Sequence, residues 1–127
     1  MTTVKSYHAI MRNARISPRK AILSCQLIRG KRVEDAVNIL AFELRRGSAM
    51  MKKVLDSAVA NASSVGGLDP MDLVVTEVRV DKGLSLKRWR PASRGRSAAR
   101  VKRNSHIYIA VAAVPAVARV KTKKKEA

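Results

Sequence analysis

The sequence predicts an α+β protein in which three helices and three strands form one small body and a long β-hairpin protrudes from it. Apolar residues recur at helical spacing in three successive segments between residues 17 and 64. Strand-like sequence precedes these segments and returns twice after them. A basic loop joins the last two strands, which makes them the arms of a hairpin. The length of 127 residues predicts a single domain.

The first strand is expected from Val4 to Asn13, and the first helix follows at Ser17-Pro18. Ser caps free N–H groups, and Pro at the first helical position has no N–H to lose. We expect this helix to end near Arg29, because Gly30 suits the left-handed residue that closes a helix. Its expected buried side chains are Ala21, Cys25 and Ile28, with Leu23 and Leu27 beside them.

The second and third helices are predicted from apolar stripes. Glu34 and Asp35 fit the first turn of the second helix, where the helix dipole favours carboxylates. The stripe of that helix is Val33, Ala36, Val37, Leu40, Ala41 and Leu44. The third helix should start near Gly47-Ser48 and end near Ser63-Ser64. Its apolar side is Met50, Met51, Val54, Leu55, Ala58, Val59 and Ala62.

After a turn at Leu68-Asp69-Pro70, strands are expected from about Met71 to Asp81 and from about Val101 to Val114. Side chains alternate between the two faces of a strand. In the later strand Ile107, Ile109 and Val111 should point one way, and His106, Tyr108 and Ala110 the other. The matching face of the earlier strand is expected to be Val74, Thr76, Val78 and Val80.

The hairpin is the most informative feature of the chain. Between residues 82 and 103 it carries nine basic residues and no Asp or Glu; they are Lys82, Lys87, Arg88, Arg90, Arg94, Arg96, Arg100, Lys102 and Arg103. Each arm of about twenty residues would reach roughly 60–70 Å if fully extended, whereas a compact chain of this length has a radius of gyration of about 14 Å. The arm bases can pack on the helices, but the outer part cannot. A two-stranded ribbon alone in water is only marginally stable. We therefore expect another molecule to hold it, and the positive charge of the ribbon indicates that this molecule is a polyanion.

These considerations predict one domain over residues 1–114, with an arm at about 71–114 and a basic tip at about 82–103. The remaining residues, 115–127, form a basic tail that we expect to be disordered without a partner.

A formal net charge of +18 supports a polyanionic partner. Nucleic acid is favoured over an anionic membrane surface or an acidic protein, because the densest charge lies in a loop rather than on a basic amphipathic helix. No apolar run is long enough to span a bilayer, and the N-terminus lacks a signal-peptide core. The single cysteine, Cys25, allows no internal disulfide and suits a reducing cytoplasm. We interpret it as small core filling.

An enzyme is not expected. The two histidines, His8 and His106, are far apart in sequence and do not match metal-ligand spacing. Asp69 and Asp72 can be proposed as an acid/base pair, but a turn and a strand start explain them better. The sequence therefore predicts no catalytic residues, no metal and no cofactor.

Binding should depend on phosphate contacts, because aromatic residues make up 3% of the chain and cannot build a broad stacking platform. Trp89 is the exception within the basic loop, where it would stack on one base or enter an apolar crevice. Ser17 is interpreted either as a helix cap alone or as an added phosphate contact. A second basic group surrounds the two ends of the first helix: Arg12, Arg15, Arg19, Lys20, Arg29, Lys31 and Arg32.

Six segments together resemble the family of ribosomal large-subunit protein twenty-two, of bacterial type. They are RISPRKA at 15–21, IRGK at 28–31, VLDSAVANA at 54–62, LKRWRP at 86–91, RGR at 94–96 and KRNSHI at 102–107. The resemblance implies three helices packed on a three-stranded antiparallel sheet and a long protruding hairpin. It also implies binding to 23S rRNA, a part in subunit assembly, and a hairpin tip that lines the nascent-peptide exit tunnel. Neighbouring large-subunit proteins and the nascent polypeptide would be further partners of a cytoplasmic protein that is not a homo-oligomer.

The resemblance and the charge pattern together assign two sets of site residues. The rRNA-binding set is Arg12, Arg15, Ser17, Arg19, Lys20, Arg29, Lys31, Lys82, Lys87, Arg88, Arg90, Arg94, Arg96, Arg100, Lys102, Arg103 and His106. The tunnel-lining tip is Lys87, Arg88, Trp89, Arg90, Pro91, Ala92, Ser93, Arg94 and Gly95.

Two alternatives stay open at the level of sequence. An architectural DNA-binding protein can also use basic ribbon arms, and such proteins usually dimerise to clasp a duplex. An RNA-modifying enzyme is the weaker alternative, because it would need an acid/base or metal constellation.

Overall fold

The computed structural model describes residues 5–113; the predicted tail at 115–127, with residues 1–4 and 114, lies outside the described residues. The chain folds as an α+β protein, as predicted. Its helices are α1 (Pro18–Ile28), α2 (Val33–Phe42) and α3 (Arg46–Gly66). Its strands are β1 (Ser6–Ala14), β2 (Leu73–Lys82), β3 (Leu86–Pro91), β4 (Ser97–Lys102) and β5 (Ser105–Ala113).

The body is a three-stranded antiparallel sheet in the order β1-β5-β2, with the helices packed against one face. Ile107, Ile109 and Val111 of the central strand are fully buried towards the helices, which confirms the alternation predicted for β5. Met51 and Leu55 of α3 are equally buried in the same core. The core therefore lies between the sheet and the helices. On the opposite face of β5, among residues 5–113, His106 and Tyr108 are half-buried and the small side chains of Ala110 and Ala112 are buried.

The core face predicted for β2 is correct for Val78 and wrong for Thr76, because the strand contains an irregularity. The pairing register with β5 shifts between Val75 and Glu77. A bulge of this kind moves every later side chain to the other face of the strand. Leu73 and Val75 are therefore buried on one side of the shift and Val78 on the other, whereas Thr76 is exposed.

The helices follow the predicted bounds closely, but their buried faces are narrower than predicted. Leu23 and Leu27 of α1 are exposed. Ala41 is exposed as well, and Leu44 lies beyond the end of α2 with its side chain fully in solvent. The chain is extended from Glu43, so Leu44 no longer follows the helical stripe. The apolar side of α3 is confirmed, with Met50 and Val59 at its half-buried edges.

Two local predictions about the ends of helices have different outcomes. Gly30 has φ +73°, which confirms the left-handed residue after α1. The Ser17 side chain makes no capping hydrogen bond, so the predicted side-chain cap is wrong; its carbonyl accepts from the N–H groups of Lys20 and Ala21, each at 3.1 Å. The Asp69 carboxylate accepts from the Met71 N–H at 3.2 Å, which supports the turn interpretation of this residue.

The hairpin is divided into two parts. Its base belongs to the body sheet, where β2 pairs with β5 as far as Lys82 opposite Ser105. Its outer part is a separate ribbon of β3 and β4, and the single strand expected from Val101 onwards is interrupted at Arg103 and Asn104. Each ribbon strand has six residues, or about 20 Å. The protruding part is therefore much shorter than the fully extended arm length considered from the sequence.

Candidate nucleic-acid interface

The outer ribbon is exposed along its whole length. Every residue from Lys87 to Arg103 is exposed to solvent, and none of them is acidic. Arg88 lies directly opposite Arg100 in the ladder. Like charges in this position destabilise a two-stranded ribbon, and an anionic partner would remove that repulsion.

The register of the ribbon separates its side chains into two faces, because residues that pair across an antiparallel ladder share a face. One face carries a concentrated positive charge from Arg88, Arg90, Arg100 and Lys102. The other face is mixed and carries Lys87, Trp89, Ala99 and Val101. The Trp89 side chain is 69% exposed, so no crevice of the described protein receives it.

The tip of the ribbon is a tight turn at Ser93–Gly95. The Ala92 N–H donates to the Arg96 carbonyl at 2.8 Å, which closes the turn. Arg94 has φ +56° and the next residue, Gly95, has φ +67°. A left-handed arginine is uncommon, and Arg94 is exposed to solvent at the end of the ribbon.

Two clefts with basic walls lie at the base of the ribbon, and Arg103 lines both. The larger, of about 550 Å³, is also lined by Ser17, Pro18, Arg19 and Lys82. The smaller, of about 330 Å³, is also lined by Arg15, Arg46, Leu86, Lys102 and Asn104. All charged residues of these walls are basic, so the two clefts offer a continuous positive surface from α1 to the ribbon.

These clefts bring together residues that the sequence keeps far apart. Arg15 and Arg19, near the start of α1, meet Lys82 and Arg103 at the ribbon base. The Ser17 hydroxyl lines the larger cleft and is not used as a cap. It is therefore available to an anion that also contacts the basic side chains of this cleft, Arg19, Lys82 and Arg103.

Sequence reasoning missed Arg46, the first residue of α3, which lines the smaller cleft. Its only local signal was the Arg45-Arg46 pair at the start of the helix. Arg45 points elsewhere, since its side chain forms a salt bridge with Glu43 at 3.3 Å. The start of α3 lies beside the ribbon base only because of the tertiary fold, so no local sequence pattern could show that Arg46 lines this cleft.

Arg12 and His106 lie apart from the clefts, on the face of the sheet that is turned away from the helices. They line a small pocket of about 190 Å³ that also contains Asp81 and Tyr108. The His106 Nδ1 accepts from the Asn13 N–H at 3.0 Å, so neutral His106 carries its proton on Nε2. Arg79 lies 4.7 Å from the centre of the Tyr108 ring. This surface has mixed charge and is less suited to phosphate than the clefts.

The residues at the end of α1 have structural contacts. Arg29 donates to the Val78 carbonyl at 2.8 Å, which ties the helix end to β2. Lys31, just after the helix, is exposed on the surface, as is Lys20 in the first turn of α1.

Cys25 is buried, and this burial raises the pKa of its thiol while the nearby Arg29 partly opposes the rise. A buried, protonated thiol fits the prediction that Cys25 fills the core.

Within residues 5–113, no group of three or more His, Cys, Asp or Glu side chains is arranged to hold a metal ion. None of the helices in this part of the chain is long and apolar enough to cross a membrane.

The exposed ribbon and the clefts at its base present basic side chains without acidic ones, a charge pattern typical of nucleic-acid-binding proteins. The model of one family, ribosomal protein L22p/L17e, matches residues 9–112, which is most of the chain. The protein belongs to this family, as the six sequence segments predicted. The family consists of structural, non-enzymatic proteins, and this member is a structural protein of the large ribosomal subunit that binds rRNA in the cytoplasm. Family membership thus favours the ribosomal interpretation over an architectural DNA-binding protein.

Proposed function

We propose that residues 1–114 act as a single domain that binds 23S rRNA through the ribbon and the two basic clefts at its base. The clefts contribute Arg15, Ser17, Arg19, Lys82, Lys102 and Arg103 to the proposed contacts, and Arg46 joins them. The ribbon contributes Lys87, Arg88, Arg90, Arg94, Arg96 and Arg100. Arg12, Lys20, Arg29, Lys31 and His106 are peripheral members of the same proposed site.

The unbroken exposure of the cationic ribbon is the observation that carries this proposal. Basic residues of a solitary ribbon repel one another, and those at positions 88 and 100 are directly paired. Arginine guanidinium groups form paired hydrogen bonds with phosphate oxygens. RNA around the ribbon would therefore replace repulsion with charge-assisted hydrogen bonds.

In subunit assembly, the ribbon is proposed to hold neighbouring RNA segments together. Crowded RNA segments repel one another through their phosphates, and bound Arg and Lys side chains reduce that repulsion. A narrow two-stranded ribbon enters a channel that the three-helix body cannot enter. The clefts at its base would hold a second RNA segment and fix the direction in which the ribbon projects.

We further propose that residues 87–95 line the nascent-peptide exit tunnel. The two faces of the ribbon support an orientation. The face with Arg88, Arg90 and Arg100 would lie on the rRNA wall, where phosphates are available. The face with Lys87 and Trp89 would then be turned towards the tunnel space and the nascent polypeptide.

Photo-crosslinking in intact cells tests this proposal. A photoreactive residue at position 90 is expected to crosslink to 23S rRNA, and one at position 89 to crosslink to nascent chains as well. A photoreactive residue at position 65 serves as a control, because Val65 is 79% exposed near the end of α3 opposite Arg46 and lines neither basic cleft. Crosslinks from position 90 to DNA, or to 23S rRNA no more often than from position 65, would contradict the proposal.

A further inference from the structure

A groove between α2, α3 and the turn before β2 differs from every basic surface described above. It has a volume of about 400 Å³, within the roughly 300–1,000 Å³ typical of binding sites. Its floor is aliphatic, with Val33, Val37, Val59 and Met71 among the lining side chains. The Met71 side chain is 57% exposed at its edge.

The charged residues that line the groove, Glu34 and Asp56, are both acidic. Neither takes part in a salt bridge within residues 5–113. Glu34 has a local reason for its position, because it lies in the first turn of α2. Asp56 lies in the middle of α3, where the helix dipole gives a carboxylate no such advantage.

This charge argues against RNA as the occupant. The chain carries a net charge of +18, and the clefts at the ribbon base have only basic charged residues. Phosphates would be attracted to those clefts and repelled by the two carboxylates of the groove. An aliphatic floor between carboxylates instead matches a polypeptide segment with an apolar anchor beside a cation.

We propose that the α2–α3 groove docks a segment of another large-subunit protein, in which an aliphatic side chain is flanked by Lys or Arg. Charge complementarity selects this partner. Proteins that bind rRNA by neutralising phosphates need a net positive charge for the same reason as this chain. Their segments therefore present cations to Glu34 and Asp56 while an aliphatic anchor fills the space beside Val37 and Val59.

Site-specific crosslinking in purified large subunits tests the proposal. The full chain carries a photoreactive residue at position 37 in one strain and at position 71 in a second, so that a folding defect at one position does not decide the result. Position 23 is the control, because Leu23 is exposed on α1 and does not line the groove. Positions 37 and 71 are expected to crosslink to the same segment of one other ribosomal protein, with Lys or Arg next to an aliphatic residue.

A matched pair of charge reversals distinguishes the groove from its surroundings. Glu34 and Asp35 are adjacent and exposed in the same helical turn, but only Glu34 lines the groove. We expect Glu34→Lys to lower the crosslinking yield by about fivefold or more, and Asp35→Lys to lower it by less than about twofold. Glu34→Gln gives a second, milder variant in case the reversal prevents assembly.

Several outcomes would overturn the proposal. They are crosslinks from positions 37 and 71 to rRNA, to residues 114–127 of the same chain, or to a second copy of the chain. A yield no higher than that from position 23, or equal losses for the two charge reversals, would overturn it as well.

Discussion

Gly83 shows how one residue connects the body to the ribbon. Its N–H donates to the Asn104 carbonyl at 2.8 Å, at the point where the body sheet ends. A Cβ at this position would lie 3.1 Å from the Asn104 carbonyl carbon and 3.2 Å from its oxygen. Because these are backbone atoms, they cannot move aside as a flexible side chain can.

We therefore expect Gly83→Ala to lower the free energy of unfolding by about 1–3 kcal/mol, the usual cost of an added methyl group in a tight site. Urea unfolding measures the loss, and hydrogen exchange at the Gly83 amide reports whether the junction has opened. Asp35→Ala is the comparison, because an exposed surface change should stay within about 0.5 kcal/mol. Unchanged stability together with unchanged amide protection would show that the junction accommodates a side chain.

Cys25 leads to a prediction about pH. Burial raises the pKa of its thiol above the ordinary value of 9.0, so the protein binds the thiol proton more tightly when folded than when unfolded. The stabilisation from this group is complete below the unfolded pKa and is lost as pH rises through the folded pKa. Wild-type protein should thus lose stability above about pH 9, and Cys25→Ala should lose less.

Urea unfolding of both proteins between pH 7 and pH 10.5 measures this difference. A thiolate-directed reagent provides a second reading at pH 8, because it should modify folded Cys25 far more slowly than the urea-unfolded protein. Equal rates in the two states would mean that the thiol is accessible in the folded protein.

The ribbon is the element whose charge matters most. It carries Arg88, Arg90 and Arg100 on one face, exposed and close together. If each contacts a phosphate, each contributes about 0.7–0.9 to the slope of log affinity against log salt. Replacing all three with Gln should therefore reduce the magnitude of the slope by about two to three for an rRNA fragment.

Filter binding or fluorescence anisotropy between 50 and about 300 mM salt measures this slope. Arg79→Gln is the control, because Arg79 already pairs with Glu77 and Asp81 and should leave the slope unchanged. The triple variant should also remain as stable as wild type or become slightly more stable, since the repulsion between positions 88 and 100 is removed. An unaltered slope in the triple variant would exclude these arginines as phosphate contacts.

At the scale of the whole molecule, one core supports both the proposed RNA-binding surface and the groove. Leu55 is fully buried in that core, whereas Leu44 is fully exposed. Leu55→Ala should lower the free energy of unfolding by about 2–5 kcal/mol, because it removes buried methyl groups and leaves a cavity. Leu44→Ala should change it by less than about 0.5 kcal/mol. Thermal and urea unfolding measure both values, and similar losses for the two leucines would contradict this assignment of the core.

The charged residues of the molecule form two separate surfaces of opposite sign. Basic residues line the clefts at the ribbon base, including Arg46 at the start of α3, and acidic residues line the groove between α2 and α3. Net charge alone predicted a polyanionic partner but did not predict a second, acidic surface. Asp56 and Glu34 are 22 positions apart in the sequence, so their common groove depends on how α2 packs on α3.

The sequence by itself determined the order of elements, the helix bounds, the alternation of β5 and the basic hairpin. These features depend on local periodicity, on helix-ending glycine and on charge, which neighbouring residues fix among themselves. The six family segments add the class of protein for the same reason, since each is contiguous in the chain.

Only the tertiary structure decided the bulge at Thr76, the interruption at Asn104, the two faces of the ribbon and the meeting of Arg19 and Arg46 with the ribbon base. Strand pairing fixes the register, and a shift of one residue reverses which side chains are buried. Long-range packing also decides which surface residues become neighbours. Such contacts join residues distant in sequence, and no local pattern encodes them.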